Sequence, residues 1–176
     1  MNIFKKLDEK YGDSGTWQFI KFNIVSNTVF LLQLLLANVL PLIFDSFKVA
    51  LPEFLRVIFT TDSVDKKYIV DGAVTWGYVL PLFLSNFLAN IYGYFVNMKA
   101  TFKGKGGKYS LLIYVVVVFV LILFSTWLQG VIINYLMNTG LSKFARTIAS
   151  ALVGFIQFLV IFPLEKFVLF RKGENE

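Results

Sequence analysis

Residues 76–97 read WGYVLPLFLSNFLANIYGYFVN, and this stretch decides the fold. It is long and apolar enough to cross about 30 Å of hydrocarbon as a helix. Within it Asn86, Asn90, Gly93 and Asn97 recur at spacings of four, three and four, so they share one helical face. Lipid offers these carboxamides no hydrogen bonds. That face is therefore expected to meet other helices, a polar cavity or a polar cargo.

The rest of the chain has the composition of a membrane protein. It is 57% hydrophobic and only 16% charged, with a mean hydropathy of +0.68, which leaves too few charges to cover a soluble domain. Three further segments are long enough to span a bilayer, near 19–44, 109–137 and 147–170. The first is too long for a cleaved signal peptide and follows an acidic segment. We predict an all-α integral membrane protein, a single domain over 1–176 with four transmembrane helices.

Basic residues are distributed unevenly between the two sides of this four-pass arrangement. Eleven Lys and Arg residues lie with the two termini and the linker 98–108, against six on the side of the segment 45–75. The positive-inside rule therefore places both termini and the linker in the cytoplasm and 45–75 outside. These lysines either only set the topology or also attract anionic headgroups, at about 1 kcal/mol per charge.

Two segments outside the spans have amphipathic patterns. Residues 1–13 place Ile3 and Leu7 against lysines, as a short surface helix would. In the 45–75 segment, Pro52 is suited to begin a helix with Phe54 on its apolar face. A helix lying on the outer leaflet and a simple loop both fit the second pattern.

A weak internal repeat relates the second and fourth spans. Residues 102–104, FKG, correspond to residues 170–172, FRK, at an offset of 68 that pairs Asn97 with Glu165. Each repeat unit would contain two spans. The spans are therefore predicted to form two parallel helical-hairpin repeats, related by an axis along the membrane normal.

The chain contains neither cysteine nor histidine, and this limits its chemistry. Thiolate nucleophiles, imidazole bases and the usual zinc ligands are all excluded. Glu165 is the one carboxylate within the spans, whereas a membrane glycosyltransferase usually needs a carboxylate-bound metal or an acid and a base. We therefore expect no metal, no cofactor and no catalytic residue. A first span without a carboxylate also argues against a small multidrug exporter.

Three stretches resemble the GtrA-like family of small four-pass bacterial membrane proteins. They are Gln18-Phe19-Ile20-Lys21-Phe22, Tyr94-Phe95-Val96-Asn97-Met98-Lys99-Ala100-Thr101-Phe102 and Phe162-Pro163-Leu164-Glu165-Lys166-Phe167-Val168-Leu169-Phe170-Arg171. The resemblance covers the spans but not 45–75. Met98 and Glu165 stand where the family commonly has basic residues, and Ala100 stands where it has Trp.

This resemblance implies passage of an undecaprenyl-phosphate-linked sugar to the outer leaflet of the bacterial cytoplasmic membrane, where glycosyltransferases use it to decorate cell-surface polysaccharide or teichoic acid. A phosphosugar should not cross hydrocarbon unaided, so it needs lysines for the phosphate and carboxamides for the sugar. The expected lipid-phosphate ligands are Lys21, Lys99 and Lys166. The expected groove-lining residues are Asn23, Asn27, Asn86, Asn90, Asn97, Gln129, Gln157 and Glu165. Glu165 is also a candidate partner for Lys166 or Lys99 in the empty site.

A non-transporting adaptor that recruits or stabilises a glycosyltransferase is the main alternative. Its polar stripes would then hold a dimer together. Any single polar residue also fits a contact between helices of the bundle, worth only about 0.6 kcal/mol on average. Small residues at Ala89/Gly93 and Ser150/Gly154 would let helices approach closely. Four spans are few for a groove, so a homo-oligomer is also consistent with the sequence.

Overall fold

The computed structural model describes residues 3–12, 14–61, 64–104, 106–137 and 139–170. Its first helices are α1 (Ile3–Tyr11), α2 (Gly15–Val39), α3 (Pro41–Phe44) and α4 (Glu53–Arg56). The hairpin β1 (Ile69–Val70) and β2 (Ala73–Val74) leads into α5 (Trp76–Val96), α6 (Ser110–Met137) and α7 (Ala145–Pro163). Short 3-10 turns lie at Lys66–Tyr68 and Ser142–Phe144. Lys105, Arg171 and Lys172, which the sequence places in the linker and the repeat, lie outside the described residues.

The prediction of a mostly helical chain with four helices of membrane-spanning length and apolarity is confirmed. Four helices are long and apolar enough to cross a membrane: Gly15–Phe44, Trp76–Thr101, Ser110–Ile133 and Ala151–Leu169. The helix α1 and the described residues of 97–104, 106–108 and 164–170 lie at one end of the bundle, which we call the basic end. The segments 45–61 and 64–75 lie at the other end, which we call the hairpin end.

The helices α2 and α5 approach each other closely where the sequence predicts a small-residue pair. Ala89 is fully buried, and a Cβ added at Gly93 would lie 2.7 Å from a methyl group of Val29. The prediction for Ala89 and Gly93 is therefore confirmed. It is wrong for Gly154, which is exposed and would meet nothing within 4 Å, while the Ser150 side chain is outside the description.

Two π-helical turns follow α5 and α7 at the basic end, at Asn97–Thr101 and Leu164–Leu169. Each is closed by a five-residue hydrogen bond, from Phe102 N–H to the Asn97 carbonyl and from Phe170 N–H to the Glu165 carbonyl, both at 2.9 Å. The donors and the acceptors are both related by the offset of 68 found in the sequence. Pro163 precedes the second turn and supplies no backbone N–H to the α-helical pattern, which eases the change of hydrogen bonding.

An aromatic core at the basic end joins all four spans. Phe102 and Phe170 lie side by side, with ring centroids 5.6 Å apart. The Tyr94 ring of α5 lies between those of Phe170 and Tyr114 of α6, tilted against both, with centroid distances of 5.0 and 4.8 Å. Phe22 brings in α2 through edge contacts with Phe158 and Phe162 of α7, both at 5.1 Å. These residues fix the ends of the spans relative to one another.

The hairpin end folds as a small unit of its own. Asp71 and Gly72 have φ values of 50° and 70°, which give a two-residue turn that pairs Val70 with Ala73. The hairpin extends through an isolated bridge between Ala50 and Thr75. Leu51, Val74 and Val79 form its buried core, while Phe54 on α4 remains 75% exposed. The helix predicted from Pro52 therefore exists as a single turn beside a hairpin that the sequence analysis did not predict.

We expect Gly93→Ala to destabilise the bundle by about 1–3 kcal/mol, because the new methyl group would overlap the stiff Val29 side chain. Gly130→Ala on α6 is the matched control, since a Cβ there meets nothing within 4 Å and should be neutral or stabilising. Thermal unfolding in detergent measures the change in stability caused by each of the two substitutions. Restored stability in Gly93→Ala/Val29→Ala would confirm the contact, and equal effects at both glycines would contradict it.

Candidate functional site

A cavity of about 420 Å³ opens at the basic end, and we call it the basic cavity. Its walls come from α1, α2 and the first π turn. They carry four lysines and one acid: Lys5, Lys21, Lys99, Lys103 and Asp8. Apolar and backbone groups of Ile24, Val25, Ala100 and Thr101 complete the lining. A surplus of ammonium groups in a recess suits the binding of an anion.

Asp8 is the point where three elements meet. One of its carboxylate oxygens accepts hydrogen bonds from Trp17 Nε1 at 2.9 Å and Lys21 Nζ at 2.7 Å. The other pairs with Lys103 Nζ at 2.5 Å. These contacts bind α1 to the start of α2 and to the chain that leaves α5. They are charge-assisted, and so stronger than ordinary hydrogen bonds.

The electrostatics of the cluster favour the ionised carboxylate. Partial burial opposes ionisation of Asp8, but hydrogen bonds from Lys103, Lys21 and Trp17 outweigh it and hold the pKa of Asp8 well below its ordinary 3.8. Lys103 has a φ of 52°, in the left-handed region, which costs roughly 1–2 kcal/mol for a residue with a Cβ. The fold therefore holds a strained residue where it contacts the acid.

Lys21 is buried, with 8% of its surface exposed, and a backbone carbonyl helps to hold it there. Besides Asp8, its Nζ donates to the carbonyl of Ala100 at 2.9 Å. Ala100 belongs to the first π turn. The π turn thus supplies a second acceptor, besides Asp8, to a lysine that is buried near the hydrocarbon.

Glu165 is fully buried, and its backbone carbonyl accepts the hydrogen bond that closes the second π turn. Within the described part of the chain, neither of its carboxylate oxygens has a hydrogen bond. The side chain of Asn97, its equivalent at the offset of 68, is close enough to interact with it electrostatically, and so is Tyr114. Among the described ion pairs, none joins Glu165 to Lys166 or Lys99.

A second cavity, of about 370 Å³, lies towards the hairpin end, and we call it the polar cavity. Its polar groups include those of Asn86, Gln129, Gln33, Thr60, Thr126 and Ser85, and its rings are those of Phe59, Tyr78 and Phe83. Its described lining has no charged side chain. Asn86 accepts from Asn90 Nδ2 at 2.7 Å through its side-chain oxygen, which leaves its own amide hydrogens for the cavity.

The two cavities collect some of the predicted site residues and leave others out. Lys21 and Lys99 share the basic cavity, but Lys166 lies beside Gly15, with its Nζ over the rings of Phe162 and Phe167. The remaining polar candidates line neither cavity. Asn23 and Asn27 donate to carbonyls of their own helix, Asn90 to Asn86, and Gln157 to Ser125, while buried Asn97 accepts from Thr101.

The Asp8 cluster beside the basic cavity also contains residues that sequence reasoning missed. Asp8, Trp17 and Lys103 are separated along the chain by loops and a whole span, so no local spacing indicates that they meet. Gln33 was missed in the polar cavity, although its place in an apolar span was an available signal.

No protein-family model, curated protein or solved structure matches the chain. Its own residues and geometry are therefore the basis for any function assigned to it. The basic cavity suits an anion, and the polar cavity suits an uncharged ligand with hydroxyl or amide groups.

We expect Asp8→Asn to lower the stability at neutral pH by about 1–2 kcal/mol, because partly exposed charge-assisted bonds are lost. Since the pKa of Asp8 is depressed by folding, the wild-type advantage should be complete above about 3.8 and disappear as the pH falls towards the lower folded value. Unfolding in detergent at several pH values measures this. Glu9→Gln is the control, and a pH-independent difference would contradict the assignment.

Proposed function

We propose that this protein moves a polyprenyl-phosphate-linked monosaccharide between the leaflets of a bacterial cytoplasmic membrane. In this proposal the cargo is an undecaprenyl-phosphate-linked sugar, supplied from the cytosolic side for glycosylation of cell-surface polysaccharide or teichoic acid. The polyprenyl tail stays in lipid while the protein shelters the polar headgroup. Membrane glycosyltransferases would then use the sugar on the outer side.

The basic cavity is the observation that carries this proposal. It places Lys21 and Lys99 together with Lys5 and Lys103 in one recess of a membrane protein. A phosphate group is the common membrane anion that such a set of ammonium groups would hold. Lys99 is exposed and therefore available for a first contact.

The direction of transport follows from the proposed topology. The positive-inside rule places the basic end, and with it the basic cavity, at the cytosolic surface. The related hydrogen bonds of the two π turns support two parallel hairpin repeats, α2 with α5 and α6 with α7. Transport would then involve movement of one hairpin against the other around their shared aromatic core.

The polar cavity supplies a place for the sugar on the way to the outer leaflet. Its carboxamides and hydroxyls are able to replace water around a hydroxyl-rich ring, and aromatic rings commonly pack against sugars' apolar faces. A volume of about 370 Å³ is near the small end of ligand sites, which favours a single sugar unit.

The resemblance to the GtrA-like family at residues 18–22, 94–102 and 162–171 supports the same function. The adaptor alternative is favoured by one observation, that Gln157 and Ser125 bind each other between α6 and α7 rather than line a cavity. A protein that only recruits a glycosyltransferase would bind its partner without moving lipid.

We expect the protein in proteoliposomes to translocate a short-chain fluorescent polyprenyl-phosphate sugar faster than empty liposomes do. Lys99→Gln should slow this about fivefold, because a surface ammonium group contributes about 1 kcal/mol of attraction to the phosphate. Lys66→Gln at the hairpin end is the matched control for charge. Wild-type movement no faster than the empty-liposome rate, across several sugars, would reject the flippase and favour the adaptor.

We expect Asn86→Ala to slow the sugar-linked lipid about fivefold while leaving the unglycosylated carrier unaffected, since one hydrogen bond of about 1 kcal/mol to the sugar is lost. Asn38→Ala provides the comparison, because Asn38 is exposed and donates to its own helix at Leu34. Equal slowing of both lipids would show that Asn86 supports the bundle rather than the sugar.

A further inference from the structure

The carboxylate of Asp8 is surrounded as a bound anion would be. Three N–H donors reach it from outside its own helix, two at one oxygen and one at the other. Trp17 supplies a neutral donor of fixed direction, and Lys21 and Lys103 supply the charge. Such a set, with several donors converging on two anionic oxygens, equally suits two oxygens of a phosphate group.

The charges around the basic cavity are not balanced by Asp8. The cavity is lined by four lysines but by one described carboxylate. Lys5 and Lys99 make no ion pair among the described residues, although they face the same recess as Lys21. The site therefore has enough positive charge to bind an anion that carries more negative charge than a carboxylate.

The backbone near the donors also departs from its relaxed state. Lys103 takes its left-handed conformation where its ammonium group reaches Asp8. Strain of this kind persists where the surrounding structure requires it, and it is frequent at ligand clamps. Asp8 lies on α1, outside the four long apolar helices, so its departure from the donors requires no break in any of those helices.

We propose that Trp17 Nε1, Lys21 Nζ and Lys103 Nζ form a phosphate-binding site in which Asp8 is the resident anion, displaced when the ligand binds. The helix α1 then closes the empty site and moves away from the loaded one. The inference that the phosphate belongs to a lipid rests on the proposed transport function, whereas the donor set itself accepts lipid-linked or inorganic phosphate.

In this proposal the Asp8 carboxylate and the incoming phosphate compete for the same donors. The substitution Asp8→Asn should therefore change the affinity for phosphate in a characteristic direction. If the carboxylate occupies the donors about nine-tenths of the time, its removal tightens phosphate binding about tenfold. A purely structural role predicts the opposite, because loosening α1 would disorder the donors and weaken binding. The two roles therefore differ in the sign of the change.

The experiment measures binding to the purified full chain in detergent micelles. The probe is a fluorescent short-chain polyprenyl phosphate, and the corresponding polyprenol, which lacks the phosphate, is the reference. We expect Asp8→Asn to bind the phosphate probe about tenfold more tightly than wild type, with no change for the polyprenol. Glu9→Gln removes the same charge from an exposed neighbouring residue and should bind as wild type does. No tightening in a folded Asp8→Asn protein, or equal tightening in Glu9→Gln, would overturn the proposal.

A second measurement needs no change at Asp8. The indole N–H resonance of Trp17, assigned with Trp17→Phe, should move as the phosphate probe is added to the wild-type protein. A resonance unchanged at saturation would overturn the proposal even if Asp8→Asn fails to fold. If inorganic phosphate competes with the probe, the natural ligand is a soluble phosphate. If it does not compete, the natural ligand is a lipid-linked phosphate. Because neither measurement involves translocation, the site and the transport function succeed or fail separately.

Discussion

Hydrocarbon provides no hydrogen bonds, and this constraint governs where every polar group of the protein lies. Several carboxamides and hydroxyls in the spans satisfy it locally by bonding to carbonyls of their own helix, as Asn23, Asn27 and Thr126 do. Others meet across helices, as Gln157 and Ser125 do. Among the described residues of the spans, Glu165 is the exception: its buried carboxylate has no hydrogen bond, and it lies within the π turn where the helical pattern changes.

The sequence predicted the spans well because their signal is local and strong. About 20 apolar residues in succession have few alternatives to a membrane helix, so α2, α5, α6 and α7 follow from length and hydropathy. Close packing at Gly93 was likewise predictable from a small-residue pair. Gly154 shows the limit of that signal, since the same motif faces open space when no helix is opposite. The hairpin at Asp71-Gly72 was missed although its sequence signal is clear. The signal is an Asp-Gly dipeptide, typical of two-residue hairpin turns, with β-branched residues nearby.

The candidate site was only partly predictable, because its contacts are long-range. Lys21 and Lys99 lie near the span ends, where the sequence predicts lysines that bind the lipid phosphate, and both line the basic cavity. Asp8 and Lys103 are nearly a hundred residues apart, and their contact depends on the packing of α2 against α5 rather than on any spacing in the sequence. Lys166 lies near the end of a span, as Lys99 does, and was predicted as a phosphate ligand on the same grounds. The structure places its ammonium group over the rings of Phe162 and Phe167 instead. A helical stripe fixes which residues share a face, but only tertiary packing decides what that face meets.

The two π turns give the bundle a further property. A π turn holds one residue more than an α-helical turn, so each rotates the chain that follows by roughly 100° relative to an uninterrupted helix. Phe102 and Phe170 come directly after these turns and reach each other across the bundle. The meeting of the two halves is therefore encoded by an extra residue in each helix as well as by complementary side chains. An insertion or deletion of one residue within either turn would therefore change which side of the helix Phe102 or Phe170 faces.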